Sequence, residues 1–226
     1  MACPVQSVGQ NAAMQLTEED VDARVATERT RLLQVLDGLD EAGWYTPSLC
    51  AGWSVRDVVV HMLMPYELSA PRFLARMLRA RFSFDRMAAR YATTDPRTPA
   101  EVVAGLRATA DRRFAVPGAP VEAPLSHLAI HAQDVYRPLG VPSLTDPGNA
   151  HIVLEQLTTP RARRSLPDSV FDGVSYAATD TNWRHGEGPE VRGPAAALLS
   201  AIFGRSAALA DLTGEGLPQV RARLTA

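Results

Sequence analysis

Two histidines, His127 and His131, lie four positions apart in an apolar stretch of the chain. Residues at i and i+4 share one face of an α-helix, so both imidazoles can reach the same metal ion. A third histidine, His61, lies in another apolar, helix-like stretch. Three protein ligands leave a position open for water, a thiol or a substrate, which is the arrangement of catalytic metals. Ordinary core or surface histidines also show this spacing, so the pattern leaves both interpretations open.

Sequence patterns that mark the starts and ends of helices flank these histidines. Ser54 and Asp57 form a capping-box pattern just before the stretch that carries His61, so a helix is predicted to begin there. Pro65 is expected to end or kink that helix, because proline cannot supply the next backbone hydrogen bond. The helix with the histidine pair is predicted to follow the proline-containing loop at 116–124.

Further helices are predicted on both sides of the His61 helix. Thr17 precedes three acidic residues, which is typical of an N-cap followed by negative charge at the positive end of a helix dipole. A basic helical stretch is predicted to run to about Tyr91, and the Thr-Pro-Ala-Glu run at 98–101 predicts another helix start. Residues 17–158 therefore read as four or more antiparallel helices, consistent with a mainly α bundle.

The two ends of the chain have a different pattern. Residues 1–16 show no hydrophobic period, and we expect a disordered tail there. Residues 170–226 are predicted to form a small C-terminal α+β segment. Within it, 174–179 reads as a strand, 180–193 is rich in glycine and charge, and Pro194 opens an alanine- and leucine-rich helix.

Composition restricts the classes of partner. The 226 residues are 46% hydrophobic with a formal net charge of −2, which argues against nucleic acid as a partner. No apolar run approaches the roughly 20 residues that span a bilayer, and the N-terminus lacks signal-peptide features. We expect a cytoplasmic protein with neither membrane nor nucleic-acid partners, and no disulfide between Cys3 and Cys50. The absence of lysine and the abundance of alanine suggest a GC-rich, for example actinobacterial, genome.

Arginines cluster with apolar residues at helical spacing in one segment. The pattern fits an amphipathic helix with a solvated basic face, and it also fits a docking surface for an anionic ligand or partner. The arginines are Arg72, Arg76, Arg79, Arg81, Arg86 and Arg90.

Three segments together resemble a known family. Residues 52–61, with the sequence GWSVRDVVVH, resemble the GW-x-V-x-D-x-x-x-H signature of the mycothiol-dependent maleylpyruvate isomerase family, within the DinB-like superfamily of four-helix metalloproteins. Residues 131–140 resemble its second signature. Residues 180–183 and 188–194 resemble a C-terminal segment common in these proteins. The resemblance implies a DinB-like up-down four-helix bundle with the small α+β segment behind it.

The resemblance also implies a metal triad of His61, His127 and His131. Zinc is the expected metal, and nickel is a possible substitute, because imidazole suits both. The family's second signature has glutamate where this chain has His127. Replacing a carboxylate by a neutral imidazole raises the charge of the site by one unit and removes a possible base. The three histidines are still expected to bind a metal after this change, whereas the isomerase reaction is less strongly indicated.

The favoured hypothesis is a metal-dependent enzyme that uses mycothiol for isomerisation or S-transfer on a small electrophilic substrate. Arg192 is the candidate catalytic residue, as a clamp for a substrate carboxylate; a structural salt bridge is the alternative. Asp134 is predicted to orient a ligand imidazole, or else to have a purely structural role. The expected partners are small molecules, and the expected assembly is a monomer or a homodimer.

The alternative function is a non-catalytic metal-binding or stress-related DinB-like protein, because a retained triad does not prove turnover. The remaining aromatic and imidazole side chains fit ordinary roles. Trp53 and Trp183 are expected to pack, and His151 is expected to be exposed. His185 lies in a glycine-flanked loop from which it could touch a substrate.

Overall fold

The computed structural model describes residues 16–116, 118–163, 166 and 170–225. The tail predicted as disordered lies outside this part of the chain, apart from Leu16. The fold is mainly α-helical with a small sheet near the C-terminus, as the sequence predicted. Its N-terminal helices are α1 (Glu18–Asp37), α2 (Glu41–Trp44), α3 (Val55–Glu67), α4 (Ala70–Arg79), α5 (Phe84–Thr93), α6 (Pro99–Ala108) and α7 (Ala123–Tyr136).

The elements after α7 build the C-terminal part. They are α8 (Pro147–Leu157), α9 (Pro160–Arg163), β1 (Ser175–Ala178), β2 (Arg184–Gly186), β3 (Glu190–Gly193), α10 (Ala195–Ile202), a 3-10 helix (Ser206–Asp211) and α11 (Leu217–Thr225). The division of the chain at residues 158 and 170 stays a prediction.

Helices α1, α3, α6 and α7 pack on one another as the four-helix bundle. Apolar side chains recur along α1 at the spacing of one helical face, and that face is buried against the neighbouring helices. Helix α3 is buried along most of its length, and α5 packs against it. Helices α8 and α10, which follow α7 in the chain, both pack on α7. The buried apolar residues of α1 are Val21, Val25, Leu32 and Leu36.

The predicted helix starts are confirmed by their capping contacts. The backbone N–H of Asp20 donates to Thr17 Oγ1 at 3.1 Å, and Asp20 Oδ2 accepts from the Thr17 backbone at 3.0 Å. Ser54 and Asp57 make the same reciprocal pair at the start of α3. Pro65 lies inside α3, which continues through Glu67 before it ends.

The basic stretch is not one continuous helix to Tyr91. It divides into α4 and α5 at a turn in which Arg81 and Phe82 have φ angles of 51° and 58°. Non-glycine residues with positive φ angles do not continue a right-handed helix. Phe82 is left 66% exposed at this turn.

The C-terminal sheet has the strand order β2-β1-β3. Strand β1 pairs antiparallel with β2, with Tyr176 opposite His185, and parallel with β3, with Tyr176 opposite Val191. Helix α10 packs against β1 and β3. The strand predicted at 174–179 is confirmed, and the glycine-rich segment after it contains two further strands. None of the helices in the described ranges has the length and apolar character needed to cross a bilayer.

We predict that Ser54→Ala lowers the free energy of unfolding by about 1 kcal/mol, the typical value of a helix N-cap. The reason is that Ser54 Oγ accepts from the Asp57 backbone at 3.2 Å and donates to Asp57 Oδ2 at 2.8 Å. Urea denaturation measures the change. Ser69→Ala is the matched control, because Ser69 precedes α4 without a side-chain capping bond. Equal losses in the two variants would contradict the capping role.

Candidate metal centre

Helices α3 and α7 bring the three predicted histidines together inside the bundle. His61 comes from α3, while His127 and His131 come from successive turns of α7. The ring centroids lie 5.0 Å apart for His61 and His127, and 4.8 Å apart for each of the other two pairs. One nitrogen from each ring lies within 4.8 Å of the other two. The three histidines that the sequence spacing singled out therefore lie close together in the structure.

The environment of the cluster keeps two of these imidazoles neutral. Burial, with a smaller contribution from the nearby His131, lowers the pKa of His61 to about 3. Burial and the neighbouring His131 and His61 also hold the pKa of His127 well below its usual value. A metal binds the lone pair of a neutral imidazole, and protons do not compete for that lone pair at neutral pH.

The donor geometry fits a transition-metal ion. The Nε2 atoms of His61 and His127 face each other at 3.3 Å. Two nitrogens bound at about 2.0–2.1 Å to a tetrahedral ion lie about 3.3–3.4 Å apart. His131 uses Nδ1 to contact Asp134, which leaves its Nε2 available. Nδ1 of His61 is buried and has no hydrogen-bond partner within the described part of the chain, so no competing hydrogen bond at Nδ1 holds that ring in a different orientation.

A buried carboxylate supports the third imidazole. Asp134 is fully buried, and its Oδ2 lies 2.9 Å from His131 Nδ1. Arg205 donates to the same carboxylate twice, from Nε at 2.8 Å and from Nη2 at 2.9 Å. Burial alone would raise the pKa of Asp134, but the hydrogen bonds from Arg205 and His131 hold it well below its usual range. An ionised carboxylate behind an imidazole fixes the ring orientation and makes the ring a stronger ligand.

Sequence reasoning missed two members of this cluster. Arg205 lies 71 residues from Asp134, and Cys50 Sγ lies 3.1 Å from Asp134 Oδ2 and 3.3 Å from Arg205 Nη2. From the sequence alone Cys50 has no expected metal-type partner, and this expectation is wrong, because its sulfur lies within 4.8 Å of ligand atoms of His131 and Asp134. Burial, with the charge of Asp134, raises the pKa of Cys50 to about 12, so this residue is a neutral thiol.

A cavity of about 1140 Å³ adjoins the cluster, and His127 forms part of its wall. The Phe114 ring stands in the same wall, 5.7 Å from the His127 ring. Small-molecule sites usually measure about 300–1000 Å³, so this volume suits a thiol and a second substrate together. Most of the lining is apolar, for example Met64, Phe84, Phe114, Ile152, Leu157 and Phe203.

Arg192 lies on β3 with a half-exposed side chain, and its Nε is 3.1 Å from Glu190 Oε1. It does not belong to the cavity wall that contains His127. This contact is the structural ion pair that the sequence left as the alternative, and the clamp role of Arg192 stays a prediction.

The two tryptophans and the two remaining histidines discussed from the sequence each have defined neighbours in the structure. Trp53 meets the His61 ring edge-on at 5.1 Å, so it packs directly on a candidate ligand. Trp183 is almost fully buried, as expected of a packing residue. His185 lies against Phe171 and Trp183, at ring distances of 4.9 and 6.2 Å. His151 is partly exposed and forms part of the cavity wall.

Residues 25–128 match the model of the mycothiol maleylpyruvate isomerase N-terminal domain. The match covers 104 of the chain's 226 residues and shows that this part of the chain is similar to that domain. The matched range contains α3 and the first six residues of α7, including His61 and His127. His131 lies just beyond it.

Two solved structures of the mycothiol-dependent maleylpyruvate isomerase resemble the chain, one of them a histidine-to-alanine mutant. Their sequence identities are 13% and 12%, with TM-scores of 0.54 and 0.57. Each alignment covers 88% of this chain and 93% of the solved chain. At these identities the likeness establishes the fold alone. No curated protein sequence matches the chain.

We predict that Asp134→Asn lowers the affinity for Zn²⁺ about 10- to 100-fold, the usual effect of losing a carboxylate behind a metal-binding imidazole. A neutral amide is a weaker partner for His131. Competition with a chromophoric chelator measures the affinity. Asp211→Asn is the control, because Asp211 pairs with Arg137 at the surface. Unchanged Zn²⁺ affinity in Asp134→Asn would contradict the supporting role.

Proposed function

We propose that this protein is a metal-dependent enzyme that uses a low-molecular-weight thiol, mycothiol, for isomerisation or S-transfer on a small electrophilic substrate. One observation carries the proposal: nitrogens of three imidazoles converge within 4.8 Å, and one of these rings lines a cavity of about 1140 Å³. The family supports the choice of thiol, since the similar solved enzymes are mycothiol-dependent by their descriptions. The chemistry belongs in the cytoplasm, where such thiols stay reduced.

In this proposal His61 and His127 hold the metal through Nε2, and His131 holds it through the nitrogen that does not face Asp134. Zinc is the expected ion, with nickel as a substitute, because a set of three imidazoles suits both. A divalent ion bound by these residues would lower the pKa of a coordinated thiol and would so supply the nucleophilic thiolate at neutral pH.

The chain's own residues then prepare the reaction. Asp134 fixes the His131 ring, and Arg205 keeps Asp134 ionised. Trp53 and Phe114 stand beside the ligand rings and limit the access of water. A water-poor site strengthens the attraction between the metal and the sulfur and protects a reactive substrate from hydrolysis.

His127 decides which reactions the site favours. A carboxylate at this position would offer a base next to the reacting atoms, whereas desolvation holds the pKa of the His127 imidazole well below its usual value and makes it a weaker base. The thiol proton must then leave to solvent. Addition of sulfur to the electrophile needs no further proton acceptor in the site, so permanent S-transfer is as compatible with this geometry as isomerisation.

The test starts from purified protein. Elemental analysis should find about one divalent metal ion per chain, and titration should show mycothiol binding that disappears when the metal is removed with a chelator. The loaded protein should then consume electrophiles in a mycothiol-dependent manner. Metal without thiol binding or turnover would contradict the proposal and favour a non-catalytic metal-binding protein. No metal above background, after reconstitution with Zn²⁺, would contradict the triad itself.

We predict that His127→Glu retains the metal, because glutamate can reach the same ion from the same helical position. It should also raise the pKa of a bound thiol, because the carboxylate offsets part of the metal charge. His127→Ala should lose most of the metal affinity, because two ligands remain of three. Metal content and the pH dependence of thiolate absorbance measure both effects. Full metal occupancy in His127→Ala would show that this histidine is not a ligand.

A further inference from the structure

Helix α4 and the turn after it present apolar side chains to solvent. Leu74 and Leu78 are 55% and 56% exposed, and they share one face of α4 because they lie four residues apart. Phe82 follows in the turn with a φ angle of 58°, and its side chain is 66% exposed. Three large apolar side chains exposed within one short segment form a patch, and such patches mark interaction sites more often than single exposed residues do.

The other side of α4 is anchored to the rest of the protein. Phe73 and Met77 are half-buried and pack against the hydrophobic core. The guanidinium of Arg76 lies over the Tyr91 ring of α5, 5.0 Å from the ring centroid. No residue of α4 is fully buried. The exposed leucines therefore lie on the outer side of a helix that is held in place.

The same segment carries positive charge only. Residues 70–82 contain four arginines and no acidic residue, in a chain with a formal net charge of −2. Of the flanking acidic residues, Glu67 is paired with Arg97 and Asp85 lies in the first turn of α5. Outside the described ranges the sequence has a single acidic side chain, that of Asp168. The segment therefore presents a local excess of positive charge. Its exposed arginines, which form no ion pair with a described residue, are Arg72, Arg79 and Arg81.

We propose that this patch docks on an anionic lipid bilayer. A helix with leucine and phenylalanine on one side and arginines beside them lies in the plane of a bilayer interface, because acyl chains accept the apolar side chains and lipid phosphates accept the cations. The sequence predicted no membrane partner from the lack of a spanning apolar run, and a helix on the bilayer surface does not need such a run. We call the patch the α4 surface. It consists of Arg72, Leu74, Leu78, Arg79, Arg81 and Phe82.

Charge and side-chain type favour a bilayer over other partners. A second copy of the chain would bring two sets of arginines together, and like charges placed opposite each other are unfavourable. A nucleic acid would pair with the arginines, but it would leave Leu74 and Leu78 against a phosphate backbone. An anionic bilayer has a partner for both kinds of side chain.

The α4 surface adjoins the cavity through Phe84. This side chain is 46% exposed, follows Phe82 by two residues, and forms part of the cavity wall that also contains His127. Docking would therefore bring one wall of the cavity close to lipid. Docking itself needs neither the metal nor turnover, so it can be measured separately from the proposed function.

Vesicle flotation measures the docking directly. The full chain is mixed with vesicles of phosphatidylcholine alone, or of equal parts of phosphatidylcholine and phosphatidylglycerol. The partition coefficient should be at least about tenfold higher for the anionic vesicles, because each arginine near an anionic surface contributes to binding. Binding should also weaken as salt rises from about 0.05 to about 0.5 M, because salt screens surface charges. No binding to anionic vesicles at the lower salt concentration would overturn the proposal.

Two double variants separate the apolar contribution from the electrostatic one. Leu78→Gln with Phe82→Asn removes apolar surface, and asparagine tolerates the positive φ angle at residue 82. Arg72→Gln with Arg79→Gln removes two exposed charges. Each pair should lower the partition coefficient for anionic vesicles at least about tenfold. A loss confined to the arginine pair would show contact with charged groups alone and would overturn docking into a bilayer.

Matched controls change the same kinds of residue elsewhere on the surface. Tyr45→Asn with Leu144→Gln removes two other exposed apolar side chains, and Arg112→Gln with Arg221→Gln removes two other exposed arginines. Neither control should change vesicle binding, and circular dichroism checks that every variant is folded. Equal losses in the controls and in the variants of the α4 surface would contradict a specific docking surface.

Two further measurements test the other occupants of the α4 surface. Light scattering would detect a stable dimer of the free protein, and loss of that dimer in Leu78→Gln with Phe82→Asn would assign the surface to a second copy. Binding of a single-stranded oligonucleotide that persists in this variant and displaces vesicles would assign the arginines to nucleic acid. Either result would overturn the proposal, whereas a monomer that does not bind the oligonucleotide supports it.

Discussion

The buried contact between Asp134 and Arg205 is the constraint on which the rest of the site depends. Asp134 is inaccessible to solvent, so its ionised carboxylate requires partners, and it has them in Arg205 and His131. Removing one partner of such a pair typically costs about 3–5 kcal/mol, because a charge is left buried without compensation. The contact joins the segment after α10 to α7. The C-terminal part of the chain thus takes part in orienting a histidine of the bundle.

The helical bundle positions the three histidines through helix geometry and helix packing. The i and i+4 spacing on α7 places His127 and His131 on one face, and the packing of α7 on α3 brings His61 opposite them. The same packing excludes water, and exclusion of water keeps His61 and His127 unprotonated. Burial therefore both assembles the three rings and puts two of them in the protonation state that a metal ion needs.

The sequence predicted what depends on local spacing and missed what depends on distant contacts. Three local features predicted the bundle and the three clustered rings. They are the helical period of the apolar residues, the capping pair of Ser54 and Asp57, and the histidine spacing. Arg205 and Cys50 contact each other across 155 residues, and nothing near either residue signals the other. The break between α4 and α5 was missed because Arg81 and Phe82 adopt positive φ angles that their residue types do not favour.

The charges of the cluster and of the cavity are related in the proposed metal-loaded protein. Three neutral imidazoles leave the full charge of a divalent ion at the site, where a glutamate in place of His127 would offset one unit. A bound thiolate supplies one negative charge, and Glu122 and Glu155 on the described wall supply two more against the single Arg161. The sum around the ion is then close to neutral before any second substrate enters. A charged second substrate would shift this balance, and Arg161 is the guanidinium that the described wall offers to an anion.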